Sequence, residues 1–165
     1  LTVQNLQGPT SGANANKVII PSGQELYAAG HVVQVQTGVK RGVVGTSSSS
    51  YVASGLGVSI TPKFSNSKLL ISIHGGRPNI ASGQQMDFTI YENTTALSSD
   101  RLGSFYHDAG GNIYSAGINY LNTVDVTSTT TRTYNFYYKS SVSGTVHISD
   151  ASDISIYMTV TEIAQ

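Results

Sequence analysis

The sequence predicts an all-β protein, an antiparallel β-sandwich or jelly roll preceded by a short extended N-terminal stem. Three observations carry that expectation. Apolar residues recur at every second position in run after run, clusters of turn-forming residues separate the runs, and the composition favours strands and turns. Among 165 residues there are 17 glycines and 10 tyrosines with abundant Ser and Thr, while Trp is absent and Glu, Lys, Arg and Leu are sparse. β-Branched and aromatic side chains suit a pleated, half-buried surface, and the scarce residues are the helix formers.

The opening Leu1-Thr2-Val3-Gln4-Asn5-Leu6 alternates from its first residue and does not begin with Met, which points to a portion of a longer protein. Residues 7–16 are Gly, Pro, Ser, Asn and Ala with little to place in a core, so they read as a stem. A short strand-like piece over 17–21 and a turn over 22–30 follow. The boundary is placed near Gly30, giving a stem or linker over 1–30 and a β-sandwich domain over 31–165. Its first strand sets Val33, Val35 and Val39 on a dry face against Gln34, Gln36 and Lys40 on a wet one. The same alternation runs through Leu56, Val58 and Ile60, then Leu69, Ile71 and Ile73, then Phe88 and Ile90 opposed by Asp87 and Thr89. Tyr134, Phe136 and Tyr138 alternate with Asn135 and Lys139, Val146 matches Ile148, and Ile154, Ile156, Met158 and Val160 form the longest stripe. Turn chemistry fills 42–50, 62–67, 75–84, 93–99, 109–112, 140–144 and 150–153. The best 3.6-residue periodicity, over 24–29, is a turn or two long. Each dry face needs a second sheet to cover it.

Nine basic residues balance nine acidic ones, and charged residues are 11% of the chain. Such a chain has no long-range field for nucleic acid or an anionic membrane, so neither nucleic-acid binding nor membrane insertion is expected. No apolar run approaches the roughly 18 residues that span a bilayer. Without cysteine, neither disulfides nor thiolate-bound zinc hold the fold. His31, His74, His107 and His147 are scattered without ligand spacing, and no metal or other cofactor is expected. Asp150 and Asp153 put two carboxylates in one turn, which fits a partial calcium site and an Asx turn equally. Asn93-Thr94-Thr95 matches the glycosylation sequon.

Gly30-His31-Val32-Val33-Gln34-Val35, Tyr51-Val52-Ala53-Ser54-Gly55-Leu56 through Val58-Ser59-Ile60-Thr61-Pro62, Ser67-Lys68-Leu69-Leu70-Ile71 and the terminal Ile156-Tyr157-Met158-Thr159-Val160-Thr161-Glu162-Ile163 follow one another along the domain. In that order they resemble a C-terminal, receptor-binding domain of bacteriophage tail fibres, those of cyanophages included. The lead-in from Gly12 to Gly23 is similar to the one found in such fibres. The resemblance implies a homotrimer in the virion, acting at the host cell surface on a polysaccharide and joined to other tail or baseplate proteins through its N-terminal part.

Receptor contact is expected from the segment 105–114, which combines aromatics, ionisable groups and a Gly-Gly tip. A sugar site needs an aromatic platform beside bidentate hydrogen bonders, and Tyr106, His107, Asp108, Asn112, Tyr114 and Tyr120 supply those types. A plain hairpin whose aromatics pack on neighbours accounts for the same residues. Arg77, after Gly75-Gly76, is expected to meet either an acidic sugar or a carboxylate of the next subunit. Arg101, next to Asp100, carries the same two alternatives and reads equally as a solvated neighbour pair. Asp and Glu fall in turns or on wet faces, no Gly-x-Ser-x-Gly elbow or phosphate loop occurs, and a catalytic role is not expected. Two further readings stay open: a capping, trimerisation or capsid-decoration domain, and a polysaccharide depolymerase.

Overall fold

The computed structural model describes residues 9–13, 15, 17–22, 24, 26–108, 112–114, 117–142 and 144–165, with backbone alone for 112–114. Among them there is no helix, and antiparallel strands build the protein. They are β1 (Val32–Arg41), β2 (Val44–Thr46), β3 (Val52–Ile60), β4 (Lys68–Gly75), β5 (Asn79–Ala81), β6 (Gln84–Glu92) and β7 (Thr95–Ala96). There follow β8 (Gly103–His107), β9 (Asn112–Tyr114), β10 (Ile118–Asp125), β11 (Arg132–Ser140), β12 (Val146–Ser149) and β13 (Ser155–Ile163). Sheet I has the order β1-β13-β4-β10; sheet II is β3-β11-β6, with β7 and β8 both on the far side of β6; sheet III is β2-β12-β5-β9.

Sheets I and II face each other as a β-sandwich, and the alternate residues read as dry from β3 onward supply the core. Leu56, Ile60, Leu69, Ile71, Ile73, Ile90, Tyr134, Phe136, Ile156, Met158 and Val160 are all 2% exposed or less. Phe88 ties the layers together: its ring lies 5.6 Å from Phe136 and 5.9 Å from Phe105 within sheet II, and meets Tyr120 of sheet I edge-on at 5.6 Å. Burying side chains of this size is what holds an all-β domain without disulfides.

Two strands depart from the expected pattern. β1 is inverted: Gln34, Gln36, Gly38 and Lys40 pair with the inward residues Glu162, Val160, Met158 and Ile156 of β13, so Val35 and Val39 point out, at 52% and 59% exposure. A bulge between Val32 and Gln34 turns Val32 to the same outer side. The reason lies in what the inner side must accommodate. Gln34 donates from Nε2 to the Glu162 carboxylate at 2.7 Å and to the Thr61 carbonyl at 2.8 Å, and Gly38 passes against β3 so closely that a Cβ there would lie 2.3 Å from the Gly57 carbonyl oxygen. A valine fits neither place. A Gly38→Ala chain is therefore expected to lose about 1–3 kcal/mol of stability, read as a lower urea midpoint at unchanged slope, because backbone offers no room to repack.

The second departure is β6, which is buried on both faces, Asp87 and Thr89 included. A related feature is Glu162 on β13, fully buried although charged. It accepts the backbone N–H groups of Lys63 at 2.9 Å and Phe64 at 3.1 Å, and the Ser67 hydroxyl at 2.7 Å, which pins the turn before β4. Burial alone would raise its pKa, but these donors together with Gln34 outweigh burial and hold it below the ordinary value. The lead-in also touches the domain: Tyr27 stacks edge-on with Phe64 at 4.8 Å, and the Gly30 N–H donates to the Ala164 carbonyl.

Candidate functional site

The most elaborate polar arrangement lies on the outer face of sheet II. Period-2 alternation puts Gln85, Asp87, Thr89 and Tyr91 of β6 on that face, and antiparallel register sets Ser104 of β8 and Lys139 of β11 on either side of Asp87. The next row places Tyr106 opposite Gln85, while Ser141 donates its N–H to the Gln85 carbonyl. Asp87 is the hub. Its carboxylate accepts from Gln85 Nε2 at 2.7 Å and from the Ser141 hydroxyl; Arg101 Nη1 stands 3.4 Å from both oxygens and Lys139 Nζ 3.9 Å from one. Burial would raise its pKa, yet the hydrogen bonds from Ser141, Gln85 and Ser104 and the Arg101 charge win, and the group is held below the usual carboxylate range.

Tyrosines surround this hub. Tyr51 lies under the Lys139 ammonium, 4.8 Å from ring centroid to Nζ, and donates its hydroxyl to the Asp100 carbonyl at 3.0 Å. Burial first, and then the negative charges of Asp87 and Asp100, push its pKa up to about 12, so the phenol stays protonated as a donor. Tyr91 and Tyr137 stack at 4.1 Å on the adjoining rows, and Tyr106, 62% exposed, stands on β8 at the rim. Thr89 is buried between the rows with no hydrogen-bond partner for its hydroxyl among the described residues. The exposed Tyr106 ring can stack on a polyhydroxylated ring, and the partly exposed Arg101 and Lys139, held in place by the buried Asp87 carboxylate, can donate to its hydroxyls.

The sequence-derived candidates divide. Tyr106 and Asp108 are exposed at the end of β8. β9 brings Asn112 and Tyr114 alongside Ala81 and Asn79 of β5, and β5 joins β6 through a tight turn whose Gly83, at φ +73°, donates its N–H to the His107 carbonyl. The Gly110-Gly111 tip and the side chains of Asn112 and Tyr114 lie outside the described residues. His107 is buried at 4% exposure with Nδ1 3.2 Å from the Ile80 carbonyl oxygen, so its ring belongs to the packing and not to the surface. Tyr120 is on the opposite sheet and turns inward onto Phe88. Arg77 pairs through Nε with Asp150 of its own chain, which also accepts from Asn79 Nδ2 at 3.0 Å. The same pairing occupies the Asp150 carboxylate considered for calcium, and no group of three or more metal-ligating side chains occurs among the described residues.

Sequence reading missed Asp87, Gln85, Lys139, Tyr51, Tyr91 and Tyr137. The alternation along β6 and β11 placed several of them on shared faces, but only the register brings β6, β8 and β11 into one row. Arg101 pairs with Asp87, and Asp87, expected on a wet face, is buried.

No family model matches this chain, and no curated protein matches it. Among solved structures it is similar to dimeric latent PorU from Porphyromonas gingivalis, at 9% identity and a TM-score of 0.31, over 91% of this chain and 15% of that one. A likeness this slight carries no argument, and the chain spans a small part of that protein's length.

Proposed function

We propose that this chain is a non-enzymatic adhesion module, the distal domain of a homotrimeric bacteriophage tail fibre, and that it holds a host cell-surface polysaccharide against the outer face of sheet II. The observation that carries this reading is the cluster of Tyr106, Tyr51, Lys139 and Arg101 around Asp87. Its parts suit a sugar: the exposed Tyr106 ring for the apolar side of a pyranose, and the Arg101 and Lys139 donors, fixed by Asp87, for its hydroxyls. Tyr106 and Asp108 extend the surface toward β9. The N-terminal part joins the rest of the tail, and three copies on one host surface convert weak single contacts into firm attachment.

The buried carboxylates support binding over turnover. Glycoside hydrolysis needs an acid whose pKa is raised, and Asp87 and Glu162 are both held low. The strand order supports the viral reading in a weaker way. β1, β4, β10 and β13 lie in one sheet and β3, β6, β8 and β11 in the other, the four-and-four alternation of jelly rolls such as viral capsid and lectin domains. Fold alone carries no function, so the weight rests on the cluster.

A glycan array probed with the soluble chain is the test. Binding to a defined set of surface polysaccharides is expected, weakened about tenfold by Tyr106→Ala, the scale of one lost stacking contact. An array with no binder sinks the adhesion reading and favours a capping domain, and new reducing ends after long incubation with a bound polysaccharide sink the non-enzymatic part.

A further inference from the structure

We infer that the sugar held on the outer face of sheet II carries a carboxylate, as a uronic acid does, and that Arg101 and Lys139 receive that group. The inference rests on the reading of this face as a polysaccharide site, and it narrows the ligand from sugars in general to acidic ones.

Its origin is a mismatch between what Asp87 needs and what surrounds it. The buried carboxylate is already satisfied by Gln85 Nε2 at 2.7 Å and by the side chains of Ser141 and Ser104. Two cations nevertheless converge on it, and neither is closely engaged. Arg101 Nη1 stands 3.4 Å from both oxygens and Lys139 Nζ 3.9 Å from one, against about 2.7–2.9 Å for a charge-assisted hydrogen bond. One anion beside two cations leaves a surplus of positive charge at this point of a chain whose formal net charge is zero. Asp100 lies near enough for its charge to act on Tyr51, but among the described residues it forms no ion pair.

The cations also keep uncommitted donors. The Arg101 side chain is 44% exposed, and among the described residues its Nε and Nη2 have no hydrogen-bond partner. Lys139 Nζ lies over the Tyr51 ring and likewise donates to no described acceptor. A sugar hydroxyl takes one such donor and brings no charge. A carboxylate takes two in the plane of the guanidinium fork and offsets the surplus, which makes it the better-matched group. The register sets the spacing. Tyr106 is paired with Gln85 and Ser104 with Asp87, so the stacking ring and the cations lie two residues, about 7 Å, apart along β6 and β8. A uronate bears its carboxylate directly on the ring, so a sugar stacked on Tyr106 can present it to Arg101 without a spacer.

The full chain is tested against immobilised uronate polysaccharides, polygalacturonate, alginate and hyaluronan among them, each beside the neutral product of its carboxyl reduction. Dextran sulfate serves as an anion without carboxylate. Binding to a uronate member is expected, weakened about ten- to a hundredfold by carboxyl reduction and equally by Arg101→Gln, the scale of a lost charged hydrogen bond. Arg101→Lys keeps the charge without the fork and should recover part of the loss. In the Arg101→Gln chain, carboxyl reduction should change affinity by less than about twofold, because the group it removes has lost its partner. Tyr106→Ala should weaken acidic and reduced forms alike. A thermal melt confirms that the variants at these exposed positions fold, and the response of the parent chain to carboxyl reduction depends on no variant. Binders confined to neutral sugars, equal binding of dextran sulfate, or an undiminished effect of carboxyl reduction in the Arg101→Gln chain overturns the inference and leaves the adhesion reading standing. A panel and an array without any binder remove both.

Discussion

A Glu162→Ala chain is expected to unfold with roughly 3–5 kcal/mol less free energy than the parent, since several charge-assisted hydrogen bonds are lost together and their donors are left without that acceptor. Those donors are Gln34, Ser67 and the backbone N–H groups of Lys63 and Phe64, which come from β1 and from the turn that leads into β4. Losing the anion therefore loosens two elements at once. Glu162→Gln keeps the volume but sets an amide N–H against other N–H donors, and it should recover only part of the loss. Urea unfolding at neutral pH measures both.

The same residue makes stability depend on pH, with a definite sign. Its folded pKa is lowered from the ordinary 4.5, so the unfolded chain binds the proton first on acidification. The stabilisation is fully present above that ordinary value and drains away as pH falls through the folded pKa. Asp87, lowered from 3.8, adds a second contribution of the same sign, present above that value and lost as pH falls through its own folded pKa. The parent should thus weaken below about pH 4.5, and the Glu162→Ala chain should show a shallower acid dependence.

Removing Asp87 is expected to have the second largest effect and the largest on binding. An Asp87→Ala chain leaves Arg101 and Lys139 facing each other without the anion between them, and it strips acceptors from Gln85 and Ser141. The loss should be about 2–3 kcal/mol in unfolding free energy, with glycan affinity reduced well beyond tenfold, because both cations and the amide lose their fixed positions. Asp87→Asn keeps the shape without the charge. It should retain most of the stability and lose most of the affinity, which separates a binding role from a purely structural one in a single titration against an array-selected oligosaccharide.

Local patterns made the fold legible. Alternation from Leu56 to Ile60, from Leu69 to Ile73, from Tyr134 to Tyr138 and from Ile156 to Val160 reported strands with one buried face, because side-chain period is a local property of the backbone. It failed at β1 for a physical reason. There, period shows that two faces differ but not which one turns inward, and the choice was made by contacts with Glu162 and Gly57 far away in sequence. Strand β6 misled in another way: Asp87 and Thr89 look like solvent-facing residues, yet both are buried, Asp87 among Gln85, Ser141, Arg101 and Lys139. The site was half legible. Tyr106 was found from a local cluster of unusual residues, whereas the hub it stands beside depends on the register of β8, β6 and β11, which no single segment encodes. His107 looked like its neighbours in sequence but took the inward side of the strand, as the alternation of Tyr106 and His107 required.

The two outer faces of the sandwich differ: that of sheet II gathers Asp87, Arg101 and Lys139 among tyrosines, that of sheet I carries Val35, Val39, Tyr157 and His74, and the first is the one proposed to meet the host glycan. Amide chemical-shift mapping with a bound oligosaccharide tests that division most directly. Perturbations gathered on Gln85 to Asp87, Ser104 to Tyr106 and Tyr137 to Lys139 are the expected result; perturbations gathered on β1 and β13, with those residues silent, would contradict it.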